Sequence, residues 1–251
     1  MQGIVKFKND VFETYIVIDG NEKLHSFANQ PAVNTNGSKE YYNEGKLHSF
    51  IIAGKLQPAV VNEAGSKEYY KEGNLHSFVV DGKRQPAIVH ADGYKSYYKE
   101  GKHHSFVVDG KLQPAVVNEA GSKYYYNEGK QHSFIIAGKL HPAITRAGGS
   151  KEYYKEGKLH SFVVDGKLQP SVVWSNGSKT YHKEGERHSF NIDEKIHPAI
   201  VYADGRKSYY KDGKKTSLDV LEQENNQSID IASLSADKQK LVREFIKFIE
   251  Q

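Results

Sequence analysis

The stretch Leu75-His76-Ser77-Phe78-Val79-Val80-Asp81-Gly82-Lys83-Arg84-Gln85-Pro86-Ala87-Ile88-Val89 decides the fold class. Phe, Val and Ile dominate it, and these side chains suit a pleated, half-buried surface. Asp81-Gly82 interrupts the run with a pair that accepts the positive φ of a tight hairpin turn. Pro86 argues against a helix and limits where a ladder bond can form. The stretch then recurs. His-Ser-Phe begins at His25, His48, His76, His104, His132, His160 and His188, with a first interval of 23 residues and five of 28. All seven prolines keep step (Pro31, Pro58, Pro86, Pro114, Pro142, Pro170, Pro198), as does a tyrosine at Tyr41, Tyr69, Tyr97, Tyr125, Tyr153, Tyr181 and Tyr209. Self-similarity at such a period marks supersecondary units that stack on their neighbours. Seven units cover residues 23–218.

Three glycine turns per unit suggest three strands, but an odd number would reverse the chain at every repeat. The first unit points to a better count. Phe27 to Pro31 spans four residues where Phe50 to Pro58 spans eight, so a unit exists without the Val-Val-Asp-Gly segment. Two core strands per unit are expected, with 79–83 and its equivalents protruding as seven small hairpins along one edge. At about 4.8 Å per strand the sheet would run roughly 65–70 Å and twist. The expected fold is all-β: an elongated antiparallel tandem-repeat sheet with a C-terminal capping helix. Its ends need covering, because an open edge invites pairing. A hairpin within residues 1–22, turning at Asn9-Asp10, is the N-terminal cap. Residues 219–233 read as a polar linker and 234–251 as an amphipathic helix, with Ser235 as N-cap and Asp237 at the positive end of the dipole. Leu241, Phe245 and Phe248, with Val242, Ile246 and Ile249 beside them, form an apolar stripe. That stripe caps the last repeat or, alternatively, serves dimerisation or docking.

Composition closes several classes. The chain has 251 residues, no cysteine and a formal charge of +4. Disulfides, thiolate zinc sites and cysteine nucleophiles are excluded. No run reaches the 18 apolar residues of a transmembrane helix, and Met1-Gln2-Gly3-Ile4-Val5-Lys6 lacks the apolar core of a secretory leader. A cytoplasmic location is expected.

Gly-Lys-Leu-His, then Pro-Ala-Val, then Gly-Ser-Lys-Glu-Tyr-Tyr in a 23-residue first unit resembles the short β-hairpin repeats of the MORN type. The pattern is also similar to Tyr- and Gly-rich tandem repeats of phage, giant-virus and bacterial proteins. The 28-residue period, the proline and His-Ser-Phe depart from MORN. The resemblance implies a non-enzymatic scaffold for protein or lipid binding and no catalytic residue.

The residues themselves agree on chemistry. Equivalent histidines in successive units lie about 10 Å apart, too far to share a zinc ion. His76 and Ser77 are adjacent in a strand and point to opposite faces, which disfavours a nucleophile–base pair. Glu44, Glu72, Glu100, Glu128, Glu156 and Glu184 recur as turn residues, and no P-loop, nucleophile elbow or dinucleotide fingerprint is present. No enzyme, cofactor or metal is expected.

Variation among the units is more telling. Lys39, Lys67, Lys95, Lys123, Lys151, Lys179 and Lys207 are constant, as is the tyrosine column, and the two share a face by the period of two. They are expected to build the internal ladder, with the varying positions turned outward. Three residues before the glycine, Asn34, Asn62, His90, Asn118, Arg146, Trp174 and Tyr202 differ. Aromatics and arginine dominate interface energetics. A protein-binding strip is expected over units three to seven, using His90, Tyr94, Tyr124, Arg146, Trp174, Arg187, Tyr202 and Arg206. Relaxed turn positions are the plainer explanation of the same variation. The specific expectation is a phage or mobile-element protein obstructing a host complex; near-identical units suggest recent duplication, and Lys, Asn, Tyr and Ile usage suggests an AT-rich genome. Two alternatives stand beside it. One is a binder of single-stranded nucleic acid or nucleoprotein using the Tyr and Lys rows, weakened because nearly every Lys has a carboxylate close in sequence. The other is an architectural or lipid-surface scaffold.

Overall fold

The structure is a computed structural model describing residues 3–8, 11–27, 30–35, 37–226 and 235–249. Each unit from the second to the seventh contains three short hairpins in series. In unit three these are Val79–Val80 with Lys83–Arg84, Ile88–Val89 with Lys95–Ser96, and Tyr98–Lys99 with Lys102–His103. The middle hairpin joins its neighbours in a continuous ladder, and successive third hairpins are linked by single bonds such as Gly101 N–H to Leu75 O at 2.9 Å. Lys95 and Ser96 pair with Val117 and Val116 of the next unit, and the same step repeats to Ile200–Val201 and Lys207. The result is one continuous antiparallel sheet with two strands per unit, as the first unit's short length implies.

The protruding hairpins number six among the described residues, not seven. In unit one, Gln30 N–H donates to Phe27 O at 2.8 Å. In units two, three and six the equivalent bond, such as Gln57 N–H to Phe50 O, closes the mouth of a hairpin instead. The hairpin is thus an insertion sealed by a bond that exists without it. Its turn has positive φ at both central residues, +49° at Asp81 and +72° at Gly82, as a type I′ turn requires. Unit seven holds the same shape without glycine, at Asp193 (+48°) and Glu194 (+59°).

Packing inside the sheet uses small residues. Ala32, Ala59, Ala87, Ala115, Ala143, Ser171 and Ala199 each have no exposed surface. Each offers its carbonyl to a neighbour: Tyr97 N–H donates to Ala115 O at 2.8 Å, and Tyr125 N–H to Ala143 O at 2.7 Å. Six of the seven carry nothing beyond Cβ, and Ser171 adds a hydroxyl bonded to Thr180 O.

At the N-terminus, β1 (Ile4–Lys8), β2 (Val11–Ile18) and β3 (Asn21–Leu24) pair antiparallel. This is one strand more than the expected hairpin, and the Asn9-Asp10 turn lies outside the described residues. β2 also takes Val33–Asn34 of the first unit along its edge, through Phe12 and Glu13, which joins the N-terminal strands to the repeat sheet and leaves β1, paired with β2, as its terminal strand. At the other end, part of the segment read as a polar linker is helix α1 (Leu218–Asn226). Ser217 Oγ accepts from Val220 N–H, which starts the helix. α1 lies against Lys195–His197 of the last hairpin and is tied to Lys211 by Glu224 at 2.7 Å. Helix α2 (Ala236–Ile249) begins at Ser235, as its sequence predicts, and its Leu241 is exposed. Among the described residues, no helix is long and apolar enough to cross a membrane.

Candidate partner-binding edge

His-Ser-Phe fastens the start of each unit to that unit's third hairpin. In unit two, Ser49 N–H donates to Tyr70 O at 2.8 Å while Ser49 Oγ accepts from Tyr70 N–H at 3.1 Å. Ser77, Ser105, Ser133, Ser161 and Ser189 repeat this double bond. The histidine beside it accepts at Nδ1 from the next glutamate turn, as in Glu72 N–H to His48 and Glu128 N–H to His104, both 3.3 Å. Its ring meets the phenylalanine of the same motif at about 5 Å. The motif's serine hydroxyl is therefore committed to backbone, and its histidine to a turn, except in unit three, where His76 Nδ1 is buried without a hydrogen-bond partner. Among the described residues, no group of three or more His, Asp or Glu could hold a metal ion.

The two faces of the sheet are the reverse of the expectation. The constant lysines are exposed, and the varying column Glu40, Glu68, Ser96, Tyr124, Glu152, Thr180, Ser208 points inward. There Glu40, Glu68 and Glu152 each accept from the tyrosine two residues on, as in Tyr154 Oη to Glu152 at 3.0 Å. Burial and the adjacent Glu152 push the Tyr154 phenol up to about 12. The chain alternates Lys and Glu because the strand separates them, one to water and one to a phenol.

One inward exchange has a measurable consequence. In unit six the usual tyrosine is His182 and the usual alanine is Ser171, and the two answer each other: Ser171 Oγ lies 2.7 Å from His182 Nδ1. Burial, helped by Arg187, pushes the imidazole down to about 4. Burial also lowers His48, His76, His103, His104, His132, His160 and His188. A folded-state value below the unfolded one gives stability that is complete above about pH 6.5 and lost as pH falls toward 4. His182 alone should cost about 2 kcal/mol over that window. Urea unfolding at pH 7 and pH 4.5 measures the drop, and the double variant Ser171→Ala/His182→Tyr should reduce it. An equal drop in both proteins would contradict the assignment.

The turns between paired core strands all fall on one edge of the sheet, about 10 Å apart. This edge carries His90, Tyr94, Arg146, Trp174, Tyr202 and Arg206. His90 and Tyr94 meet edge to face at 5.1 Å. Arg206 lies over the Tyr202 ring at 5.0 Å and pairs with Asp204 at 2.7 Å. Arg146 reaches Glu152 at 2.6 Å, and Trp174 is 46% exposed. Two residues of the sequence-derived strip lie elsewhere. Tyr124 stands on the inner face between Val116 and Ile144. Arg187 belongs to another hairpin, over the Tyr210 ring at 5.5 Å. Arg84, which the sequence reading passed over, also turns inward, 3.8 Å above Phe106 and bonded to Ser77 O.

The turns reveal a coupled exchange. In the asparagine turns, Asn62 Oδ1 and Asn118 Oδ1 accept from the N–H four residues on, at 2.9 Å. Where His90, Trp174 or Tyr202 replaces asparagine, the same N–H is taken by Asp92, Asn176 or Asp204 at 2.9–3.0 Å. The cap moves two residues along, and the first position is released for a large side chain. A second exchange opens space. Ser66, Ser122, Ser150 and Ser178 each accept from an N–H of the following turn. Tyr94 replaces this serine and makes no such bond. A cleft of ≈ 340 Å³ lies there, lined by Tyr94, Tyr97, Pro114 and Asn118 among others. Comparison with known proteins finds no match: no family model, no curated protein and no solved structure is significantly similar to the chain.

Proposed function

We propose that the chain is a non-catalytic, MORN-like hairpin-repeat scaffold that binds another protein through the turn edge of units three to seven. The coupled cap exchange carries this reading. Relaxed drift would remove asparagine and leave an N–H without its acceptor. Here each aromatic replacement comes with a new acceptor, so the turn keeps its shape while its outer residue changes. Arg146, Trp174 and Tyr202 are residue types that dominate interfaces; at Arg146 glycine stands where Asp92 stands in unit three, so the exchange of acceptors belongs to the three aromatic turns. Obstruction of a host complex by a phage or mobile-element protein is the specific form of this proposal. It rests on the tandem-repeat resemblance and on the near-identity of the units. A photo-crosslinking amino acid at position 174 or 202 should join the chain to a single protein in lysate of the source cell, whereas the same group at the exposed Val107 should not. Equal labelling from all three positions would defeat the proposal.

A further inference from the structure

We infer a second binding surface on the outward face of the strands, beside the turn edge: a row of seven lysines that takes the phosphate backbone of a single-stranded nucleic acid. Lys39, Lys67, Lys95, Lys123, Lys151, Lys179 and Lys207 are all exposed, all on one face, and in register. Between them stand Val61, Val89, Val117, Thr145, Val173 and Val201, also in register. Twelve strand spacings of about 4.8 Å place the first and last lysine about 58 Å apart along the sheet.

The carboxylates that adjoin three of these lysines in sequence do not pair with them. Glu40, Glu68 and Glu152 follow these lysines directly, yet they face the other way and bond tyrosines. Among the described residues, none of the seven lysines takes part in an ion pair. In these three strands the lysine and the glutamate are separated by face, while Asp92 and Glu119 of the adjoining turns share the cleft of Lys95.

The spacing favours a uniform, linear polyanion. The turn edge changes from unit to unit, but this row offers one cation per unit without regard to the turn beside it. A folded acidic protein has no such regular array, whereas a phosphate backbone does. The constant tyrosines lie next to the row; Tyr97 and Lys95 line the same cleft. Stacking aromatics beside a cationic track is the general arrangement for binding single strands without sequence preference.

The test uses the full-length protein and a fluorescein-labelled oligodeoxythymidine of about 20 nucleotides. Each phosphate contact on a single strand contributes about −0.7 to the slope of log Kobs against log salt. Seven contacts give a slope of about −5. The triple variant Lys95→Gln/Lys123→Gln/Lys151→Gln should bring it to about −3 and weaken binding at least tenfold at 0.1 M salt. All three positions are exposed, and circular dichroism confirms that the variant is folded. Trp174→Ala should leave oligonucleotide binding unchanged, which keeps this surface distinguishable from the turn edge. A slope near zero, an unaltered slope in the triple variant, equal affinity for a duplex, or equal competition by polyglutamate would each overturn the inference.

Discussion

Replacing Ala115 with leucine should lower the urea midpoint of unfolding by about 1 M and split the transition in two. Ala115 has no exposed surface. Its N–H donates to Tyr124 O at 2.9 Å and its carbonyl accepts from Tyr97 N–H at 2.8 Å, so it joins unit three to unit four. Three added carbons have no room there and must push the paired strands apart. Overpacking of this kind costs about 1–3 kcal/mol, which at an m-value of about 1–3 kcal/mol/M corresponds to the stated shift. The split follows from the architecture. A repeat array is stabilised unit by unit and by nearest-neighbour interfaces, and this interface lies in the middle. Val107→Leu is the control: the position is 55% exposed and the change should stay within about 0.5 kcal/mol. A single transition at the wild-type midpoint would show that the alanine column is not the packing seam.

Much of this was legible in the chain. The period, the two core strands and the dispensable hairpin all follow from the five residues missing between Phe27 and Gly37. The helix after Ser235 follows from its cap and apolar spacing. The orientation of the strands was not legible. A Lys-Glu dipeptide on a two-residue strand has no hydrophobic alternation to say which side faces in. Constancy of the lysines suggested burial, but the interior is instead held by Ala and Ser, whose small size gives no hydrophobic signal. Tyr124 varies although it faces inward, because a packed column also changes when neighbours compensate, as Ser171 and His182 do, and Arg187 varies on an exposed hairpin away from the turn edge. The cap exchange between Asn62 and Asp92 was readable in principle, since Asn-x-Ala-Gly and His-x-Asp-Gly alternate in the sequence. Its meaning required the hydrogen bonds. α1 was hidden by its polarity: Glu222 to Asn226 read as linker, and only Leu221 and Glu224 beside the last hairpin give the helix a place to rest.

Trp174→Ala should weaken partner binding about 30-fold while leaving the unfolding midpoint unchanged. Truncation of a central aromatic anchor costs about 2 kcal/mol, and each 1.4 kcal/mol is a factor of ten. Trp174 suits this role because it is half exposed and its turn is capped by Asn176 rather than by itself. Removing the indole therefore takes away contact area without disturbing the turn. Tyr202→Ala should act similarly and should also release Arg206, which rests on its ring. The loss should appear in the dissociation rate, since neither change alters long-range charge steering.

The most direct measurement is affinity capture from lysate of the source cell with three baits: the wild-type chain, the wild-type chain after nuclease treatment, and Trp174→Ala/Tyr202→Ala. Retained proteins are quantified by mass spectrometry. The turn-edge account expects one protein held in stoichiometric amount by the first two baits and absent from the third. Retention of that protein by the double variant, or its loss on nuclease treatment, would contradict it.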